Sequence, residues 1–418
     1  MDTYRFRQSI HRLPGKVIHH VPLPEPQVVE GHLSRAQIGE ICRQCGYRQV
    51  LLVTDKTLHA LGYEQAIAQS LEDAGVGCTL FADINSEPTV ALIDAGRQAA
   101  TNCHAECVIA LGGGSVLDTC KMIAAGVKLP HLKTKALLLK FLVVPNKTLP
   151  MISVPSTAGT GAEITVGAVV TNARGAKGST VLIGLNVTHV VLDSELTLHA
   201  PPMVTAACGM DALSHVVEGA VSDVEMDEEN MRLSKEGVRL IFQHLPIVMK
   251  EPENIESRLA MCRAALYGGN AINTQLAGYV HAFAHSIGAK YHIPHGQAIT
   301  LMMMPVLQYQ KEACKARYAL LARYCQLADE NTGDDEAADR FLRAVAQLIE
   351  DCGMDKLTAP VEESDFEELT RMIAKDSINY SAPMTFSNED IRKVLEEVRL
   401  RGYEDEIMRG CDVENQSI

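Results

Sequence analysis

No stretch of this 418-residue chain stays apolar for the roughly 20 residues that a membrane-crossing helix needs. The nearest candidate, Ala136 to Val144, is short and carries Lys140, which predicts a buried strand or a covering segment. Positive charge is also scarce: 38 Lys and Arg face 52 Asp and Glu, for a net charge of -14. That excludes nucleic acid and anionic membrane as expected partners, because both reward a basic surface, and leaves a small-molecule ligand. A disulfide framework is missing too. The 12 cysteines are scattered, and a chain of this length buries a core large enough to need no staples. Cys42 and Cys45 form a Cys-x-x-Cys, but they sit near the C-terminal end of a helix before Gly46, where the dipole disfavours a thiolate, and no second pair follows at zinc-ribbon spacing. Free structural thiols are expected. Met1 to Pro14 is polar and broken by Arg5, Arg7 and Arg12, unlike a secretory leader, so a cytoplasmic address is expected. Internal repeats and low-complexity tracts are lacking. What is there, 47% hydrophobic and 22% charged residues, is the composition of an ordinary globular protein with room for two domains.

Residues 1 to about 30 hold several prolines and a weak pattern. From Ser34 helical stretches alternate with short apolar runs: Val50 to Val53, Cys78 to Phe81, and Cys107 to Leu111. Such alternation, with turns rich in glycine after the runs, predicts βαβ units and a mainly parallel sheet. The turn Gly112-Gly113-Gly114-Ser115 then opens a helix. Its glycines let a ligand approach the backbone, and the unpaired N–H groups of the helix start suit a pyrophosphate, although neither the Gly-x-Gly-x-x-Gly nor the Walker pattern is present. Asp55, at the end of an earlier strand, reads either as an acceptor for a ribose 2'-hydroxyl, whose charge would repel a 2'-phosphate, or equally as an ordinary surface turn aspartate. Ser153 to Glu163 offers small residues and hydroxyls, usable for ribose or phosphate and equally as caps and turns. Val169 to Thr171 and Ser179 to Ile183 read as a hairpin, and Val187 to Leu192 as a last strand. After Pro201 and Pro202 long helical patterns take over, which places a domain boundary near residue 199: an α/β domain over residues 1–199 and an all-helical one over 200–418.

The densest chemistry lies between Asp211 and His295. Asp211 and His215 are four residues apart, as are His281 and His285, so each pair shares one helix face; His292 and His295 follow around Pro294 and Gly296. A single histidine on an apolar face is ordinary core. Four of them beside an Asp-x-x-x-His point to a divalent first-row cation such as Fe, Zn or Mn, since the set has imidazoles and a carboxylate but no thiolate. Spacing leaves open which imidazole is spare.

Taken in order, these segments resemble the iron-dependent (group III) alcohol dehydrogenase family: Val53-Thr54-Asp55, Gly112 to Asp118, Pro155 to Glu163, Leu196-Thr197 with the Pro-Pro pair, Gly209 to His215, and His281 through Gly296. The resemblance covers nearly the whole chain after about residue 25. It implies an architecture like that of dehydroquinate synthase, with NAD on the α/β domain, one metal in the helical domain and the substrate in the cleft between them. It further implies that Asp211, His215, His281 and His295 ligate Fe2+, with Zn2+ as the alternative, and that His285 relays a proton. The cofactor contacts implied are Asp55, Gly113, Gly114, Ser115, Asp118, Ser156, Thr157, Thr160, Thr165 and Lys177. A homodimer or larger homo-oligomer is the family's habit. The chain departs from the family at Glu87, at Gly167 and in the apolar Leu132 to Val144, which bears on the substrate.

The expected reaction is reversible hydride transfer between nicotinamide and a small primary alcohol or aldehyde, with the cation as Lewis acid. The rivals are a polyol or hydroxy-acid dehydrogenase, a lyase like dehydroquinate synthase, and a metal-binding protein without catalysis.

Overall fold

The computed structural model describes residues 23–85, 87–138, 141–171, 177–224 and 226–400. They fall into two compact units, one built from Val21–Pro201 with Glu251–Asn273, the other from Pro202–Lys250 and the residues from Thr274 onward.

The first unit is a doubly wound sheet. Its strands are β1 (Gln27–Gly31), β2 (Gln49–Asp55), β3 (Gly77–Ile84), β4 (Cys107–Gly112), β6 (Met151–Pro155) and β9 (Val187–Asp193), with β5 (Phe141–Val143), β7 (Gly167–Thr171) and β8 (Lys177–Ile183) in a smaller sheet. The six run parallel in the order β1-β9-β6-β4-β2-β3. Helices α1 (Ile38–Gln44), α2 (Lys56–Ala60), α3 (Gln65–Asp73), α4 (Val90–Asn102), α5 (Gly114–Lys128) and α6 (Thr134–Leu137) connect them. Parallel strands covered on both faces must be apolar throughout, and Val50 to Val53 are fully buried, as are Cys107 to Leu111. Alternation sorts them: Val50, Leu52, Ile109 and Leu111 pack with Ile38 and Ile67, whereas Leu51, Val53, Val108 and Ala110 pack with Leu117 and Ile123 of α5. After β3 the chain returns to the other side of β2, so strand order reverses between β2 and β4. The carboxyl ends there, Asp55 and Gly112, flank the crevice at which open α/β sheets take ligands.

Three details differ from the sequence reading. β1, inside the stretch whose pattern was weak, is a five-residue strand at the sheet edge, paired in parallel with β9. Its register needs only main-chain groups, which explains the poor side-chain signal. The apolar Ala136 to Val144 is split between the end of α6 and β5; Leu137, Leu142 and Val144 are buried against the β7–β8 hairpin and β9, and residues 139 and 140, with Lys140, lie outside the described residues. Finally, the helix Ile255–Gln275 belongs mostly to the α/β unit although it follows the two prolines. Asn273 explains the attachment: its amide oxygen accepts from Val166 N at 2.9 Å and its nitrogen donates to Ile164 O at 3.0 Å. A Cβ on Gly269 would stand 2.5 Å from Gly161 O, so the two backbones touch.

The second unit holds α7 (Pro202–Val221), α8 (Glu228–Lys250), then, with Ile255–Gln275 counted as α9, α10 (Tyr279–Tyr291), α11 (His295–Tyr309), α12 (Lys311–Tyr324), α13 (Asp334–Asp351) and α14 (Phe366–Asp376). From Gly209 to Val221 α7 is buried at every position, the mark of a central helix. Among the described residues no strand follows Asp193, and no helix is long and apolar enough to cross a membrane.

Candidate metal centre and dinucleotide turn

Three elements of the helical unit bring the histidine cluster together. α7 supplies Asp211 and His215 one turn apart, α10 supplies His281 and His285, and α11 begins at His295. The carboxylate is the meeting point: Asp211 Oδ1 lies 3.3 Å from His295 Nε2, 3.7 Å from His215 Nε2 and 3.8 Å from His281 Nε2. Ligand atoms of Asp211, His281 and His295 all fall within 4.8 Å of one another. Two donors held tetrahedrally on a common ion at about 2.1 Å are about 3.4 Å apart, so these spacings suit a shared cation. Asp211 Oδ1 and His281 Nε2 are buried and have no hydrogen-bond partner among the described residues. Buried polar atoms are seldom left so, and an imidazole–carboxylate set of this kind fits iron or zinc.

The electrostatics follow from burial. It pushes the His215 imidazole down to about 4, against the pull of Asp211, so this ring is neutral with a lone pair to give. Burial opposes the Asp211 charge, but His215, His295 and His281 outweigh it and hold the carboxyl well below its usual range. At His281 burial also lowers the pKa, yet Glu218 more than reverses it.

Glu218 was not foreseen. Seven residues after Asp211 on the same buried helix, its Oε2 bonds His281 Nδ1 while Oε1 accepts from Val280 N at 2.7 Å. A proton on Nδ1 leaves Nε2 bare toward Asp211, the usual outer-shell arrangement of a ligating histidine. The signal was available as Asp-x-x-x-His-x-x-Glu, the glutamate standing on the same face of an otherwise apolar helix. Nothing in the sequence could have foretold Asp376 and Tyr380: His285 Nδ1 is 2.9 Å from Asp376 Oδ2 and 3.2 Å from Tyr380 Oη, 91 and 95 residues away. The His285 side chain is 41% exposed and its ring stacks on His295 at 5.3 Å. His292 is the left-handed residue (φ 57°) that ends α10.

In the α/β unit the glycine turn is bare of side-chain caps: Gly113 precedes α5 in extended geometry and donates no side chain to it. A Cβ at Gly114 would meet Thr160 at 3.1 Å and one at Gly113 would meet Thr157 at 3.5 Å, so both threonines border the turn, while Ser156 N donates to Gly112 O at 3.1 Å. Ser115 lies in the first turn of α5. Asp55 caps α2, its Oδ1 accepting from Leu58 N at 2.9 Å. Asp118 and Thr165 both meet the ammonium of Lys121, a residue the sequence reading passed over. Lys177 opens β8, and its side chain lies outside the described residues. The Cys42 thiol is pushed up to about 12 by burial, and then by Cys45 and Cys78, which makes it unreactive. The described cysteines are free.

Glu163 gives a separate test of this region. It is fully buried, its Oε1 has no partner among the described residues, and burial pushes its pKa up to about 7, against its own backbone N–H and Lys121. A carboxyl whose pKa is raised on folding contributes most below its unfolded pKa, and that contribution falls as pH rises toward the folded value. Stability is therefore expected to drop by about 3 kcal/mol from near pH 4.5 to pH 7 on account of this one group. Glu163→Gln removes the titration: urea or thermal melts should show it gaining on the parent between pH 5 and pH 8, and parallel curves would refute the assignment.

A doubly wound sheet with an open glycine turn at its reversal point, and a separate helical unit with a carboxylate–imidazole cluster, are the architecture of a nucleotide-binding fold joined to a candidate site for a divalent cation. Residues 25–194 match the family described as "Iron-containing alcohol dehydrogenase", and residues 205–398 match "Fe-containing alcohol dehydrogenase family, C-terminal". A 1,3-propanediol dehydrogenase of Klebsiella pneumoniae is 30% identical over 366 residues, 86% of this chain and 93% of the relative. The solved structure of a 1,3-propanediol oxidoreductase is similar with a TM-score of 0.84 and 27% identity, covering 90% of this chain and 99% of that one. Sulfoacetaldehyde reductase from Bifidobacterium kashiwanohense, solved with NAD+, gives 0.81 and 28%, covering 91% and 98%. The chain belongs to the iron-containing alcohol dehydrogenase family, whose members are oxidoreductases acting on CH–OH groups.

Proposed function

We propose that this enzyme interconverts a small primary alcohol and its aldehyde with NAD, holding Fe2+ on Asp211, His215, His281 and His295, Zn2+ being the alternative ion. The observation that carries the reading is the convergence of three imidazole nitrogens on one buried, unpartnered carboxylate oxygen. A cation held by these four side chains would supply Lewis acidity toward the substrate oxygen, and NAD would supply the hydride chemistry. Glu218 keeps the His281 proton on Nδ1. Asp376 does the same for His285, leaving Nε2 of a half-exposed ring free to exchange a proton with solvent. Gly113, Gly114 and Ser115 receive the pyrophosphate, with Ser156, Thr157 and Thr160 around it, and Lys177 completes the cofactor set. The relatives named for 1,3-propanediol and sulfoacetaldehyde support a short substrate.

The test is protein purified without oxygen, assayed for bound metal and for NADH oxidation with a series of short aldehydes. Iron with turnover on at least one of them is expected; a metal-replete protein inert with all, and with short alcohols and NAD, would overturn the reading. Cofactor choice rests on Asp55. Because its oxygen also caps α2, Asp55→Asn keeps the cap and drops only the charge. The kcat/KM ratio of NADP to NAD is expected to rise about tenfold, the scale of one repulsive contact of about 1.4 kcal/mol. An unchanged ratio counts against Asp55 as the selector.

A further inference from the structure

Charge is unevenly spread along this acidic chain. Between Asp118 and Asp193 it carries seven lysines and one arginine against a single acid, the buried Glu163, while the rest of the chain carries 30 basic and 51 acidic residues. Four of those lysines, Lys128, Lys133, Lys135 and Lys147, are exposed and have no acidic partner among the described residues. Surface cations elsewhere are commonly paired, as Arg43 is with Glu40, Arg48 with Glu106, and Lys315 with Glu312 and Asp335.

The fold gathers these four at one end of the α/β unit. Lys128 closes α5, and Lys133 and Lys135 flank Thr134, where α6 starts. Arg97 of α4 fixes that loop, donating to Thr134 Oγ1 at 2.9 Å and to Leu132 O at 3.1 Å. Thr134 in turn donates to Asp94, so the only acid of α4 is already engaged. Lys147 arrives in the turn after β5, which Leu149 N ties to Ala124 O of α5 at 3.2 Å and Thr148 N ties to Gly184 O at 2.9 Å. Asn146 and Lys147 are both left-handed (φ 58° and 67°), a conformation that costs about 1–2 kcal/mol per residue and that glycine would adopt freely. Strain kept at a surface turn points to a use for the side chain. Val143, 60% exposed on the edge strand β5, and the exposed Pro145 put apolar surface beside the lysines.

This face has no part in the sites already described. The fifteen residues of α5 put roughly 22 Å between Lys128 and the glycine turn, more than two screening lengths of about 8 Å. Lysines around an apolar centre match the rim and core of a protein interface. Exposed arginine, whose fork suits phosphate, is missing among the described residues of the face, which tells against nucleic acid and phospholipid. The chain itself carries a complementary surface. Glu362, Glu363, Asp365, Glu367 and Glu368 stand within seven residues at the start of α14; Lys290 takes Asp365 and Glu368, and Glu362, Glu363 and Glu367 stay exposed with no cation among the described residues.

We propose that the lysine face docks the Glu362 to Glu368 segment of a second copy of this chain, the α/β unit of one molecule meeting the helical unit of the next. The two surfaces differ, so the contact is heterologous and builds a closed ring or a growing chain. Opposite charges steer it, and salt weakens it. No residue of either patch belongs to the cofactor or cation sites, so assembly leaves the chemistry in place.

The experiment is sedimentation velocity of the metal-loaded, full-length protein at about 0.02 M and about 0.5 M NaCl, between which the screening length falls several-fold. The parent is expected to reach at least twice the mass at low salt. Lys133→Glu/Lys135→Glu and Glu363→Lys/Glu367→Lys are each expected to lose that salt-dependent step while keeping metal and turnover, and an equimolar mixture of the two is expected to regain it. Lys147→Gly removes a charge and relieves the turn, so it should melt higher yet associate about threefold more weakly. If the reversed variants do not fold, Lys147→Gly decides. A parent with one mass at both salts, a folded reversed variant that keeps the step, a mixture that stays apart, or a Lys147→Gly protein that associates like the parent overturns the proposal. So does binding of a non-associating parent to phosphatidylglycerol vesicles or duplex DNA that the lysine variant loses, which would give the face to lipid or nucleic acid instead.

Discussion

Asp211→Asn is expected to leave the protein folded, without its cation, and slower by about a thousandfold or more in kcat/KM, since removing a Lewis acid costs several kcal/mol of transition-state stabilisation and each factor of ten is about 1.4 kcal/mol. The change is small in volume and keeps an oxygen acceptor, so a collapse of α7 is not expected. What it removes is the charge at the atom on which His215, His281 and His295 converge at 3.3–3.8 Å. With a neutral amide there, three imidazoles face one another with nothing anionic to balance a divalent ion. His285→Ala supplies the contrast. That ring turns its Nδ1 to Asp376 and Tyr380, and it is expected to keep the metal while slowing turnover. Elemental analysis of both variants, with steady-state kinetics, separates the roles. An Asp211→Asn protein with full metal, or a metal-free one with parental activity, would sink the assignment.

The parts of this arrangement that the sequence revealed are those whose signal is local. β2 and β4 stand out because strands covered on both faces must be unbroken apolar runs, and β7 and β8 because two short β-branched runs lie close together in the chain, the residues that join them (172–176) lying outside the described ones. Asp211 and His215 announce a shared helix face by their spacing. The parts that stayed hidden depend on contacts across the chain. Tyr380 and Asp376 reach His285 from more than 90 residues away, in a segment with no motif of its own. Lys121 looks like any lysine at the polar edge of a helix until the hairpin is folded over it. Asp55 was legible as a strand-end acid but not as the cap of α2, because a five-residue helix has too little pattern to be foreseen. α9 is weakly amphipathic, and which unit it joins shows only in the folded chain, where Cys262 and Leu266 pack into the α/β core, Arg263 pairs with Glu30, and Gly269 and Asn273 meet the Gly161 to Val166 segment.

Gly296→Ala is expected to damage the cation centre without touching any ligand. A Cβ at this position would sit 2.6 Å from Ala207 O and 2.9 Å from Ala207 C, backbone atoms of α7 that cannot swing aside as a side-chain tip can. The start of α11 must therefore back away from α7, and the residue before it is His295, whose Nε2 is 3.3 Å from Asp211 Oδ1. Overpacking of this kind costs about 1–3 kcal/mol of stability. A retreat of a few tenths of an ångström at a metal ligand should in addition weaken the cation by about tenfold or more, the scale on which disturbed supporting contacts act. Gly333→Ala serves as the comparison: it lies in the same unit ahead of α13, with nothing within 4 Å of the added atom and an ordinary φ of -60°. Competition with a metal-sensitive dye, read beside melting temperatures, should show Gly296→Ala losing both stability and affinity and Gly333→Ala losing only the roughly 0.5–1 kcal/mol of stability that separates glycine from alanine at an N-cap, with its affinity unchanged. Equal metal affinity in the two variants would mean that α11 does not need its close approach to α7 to place His295.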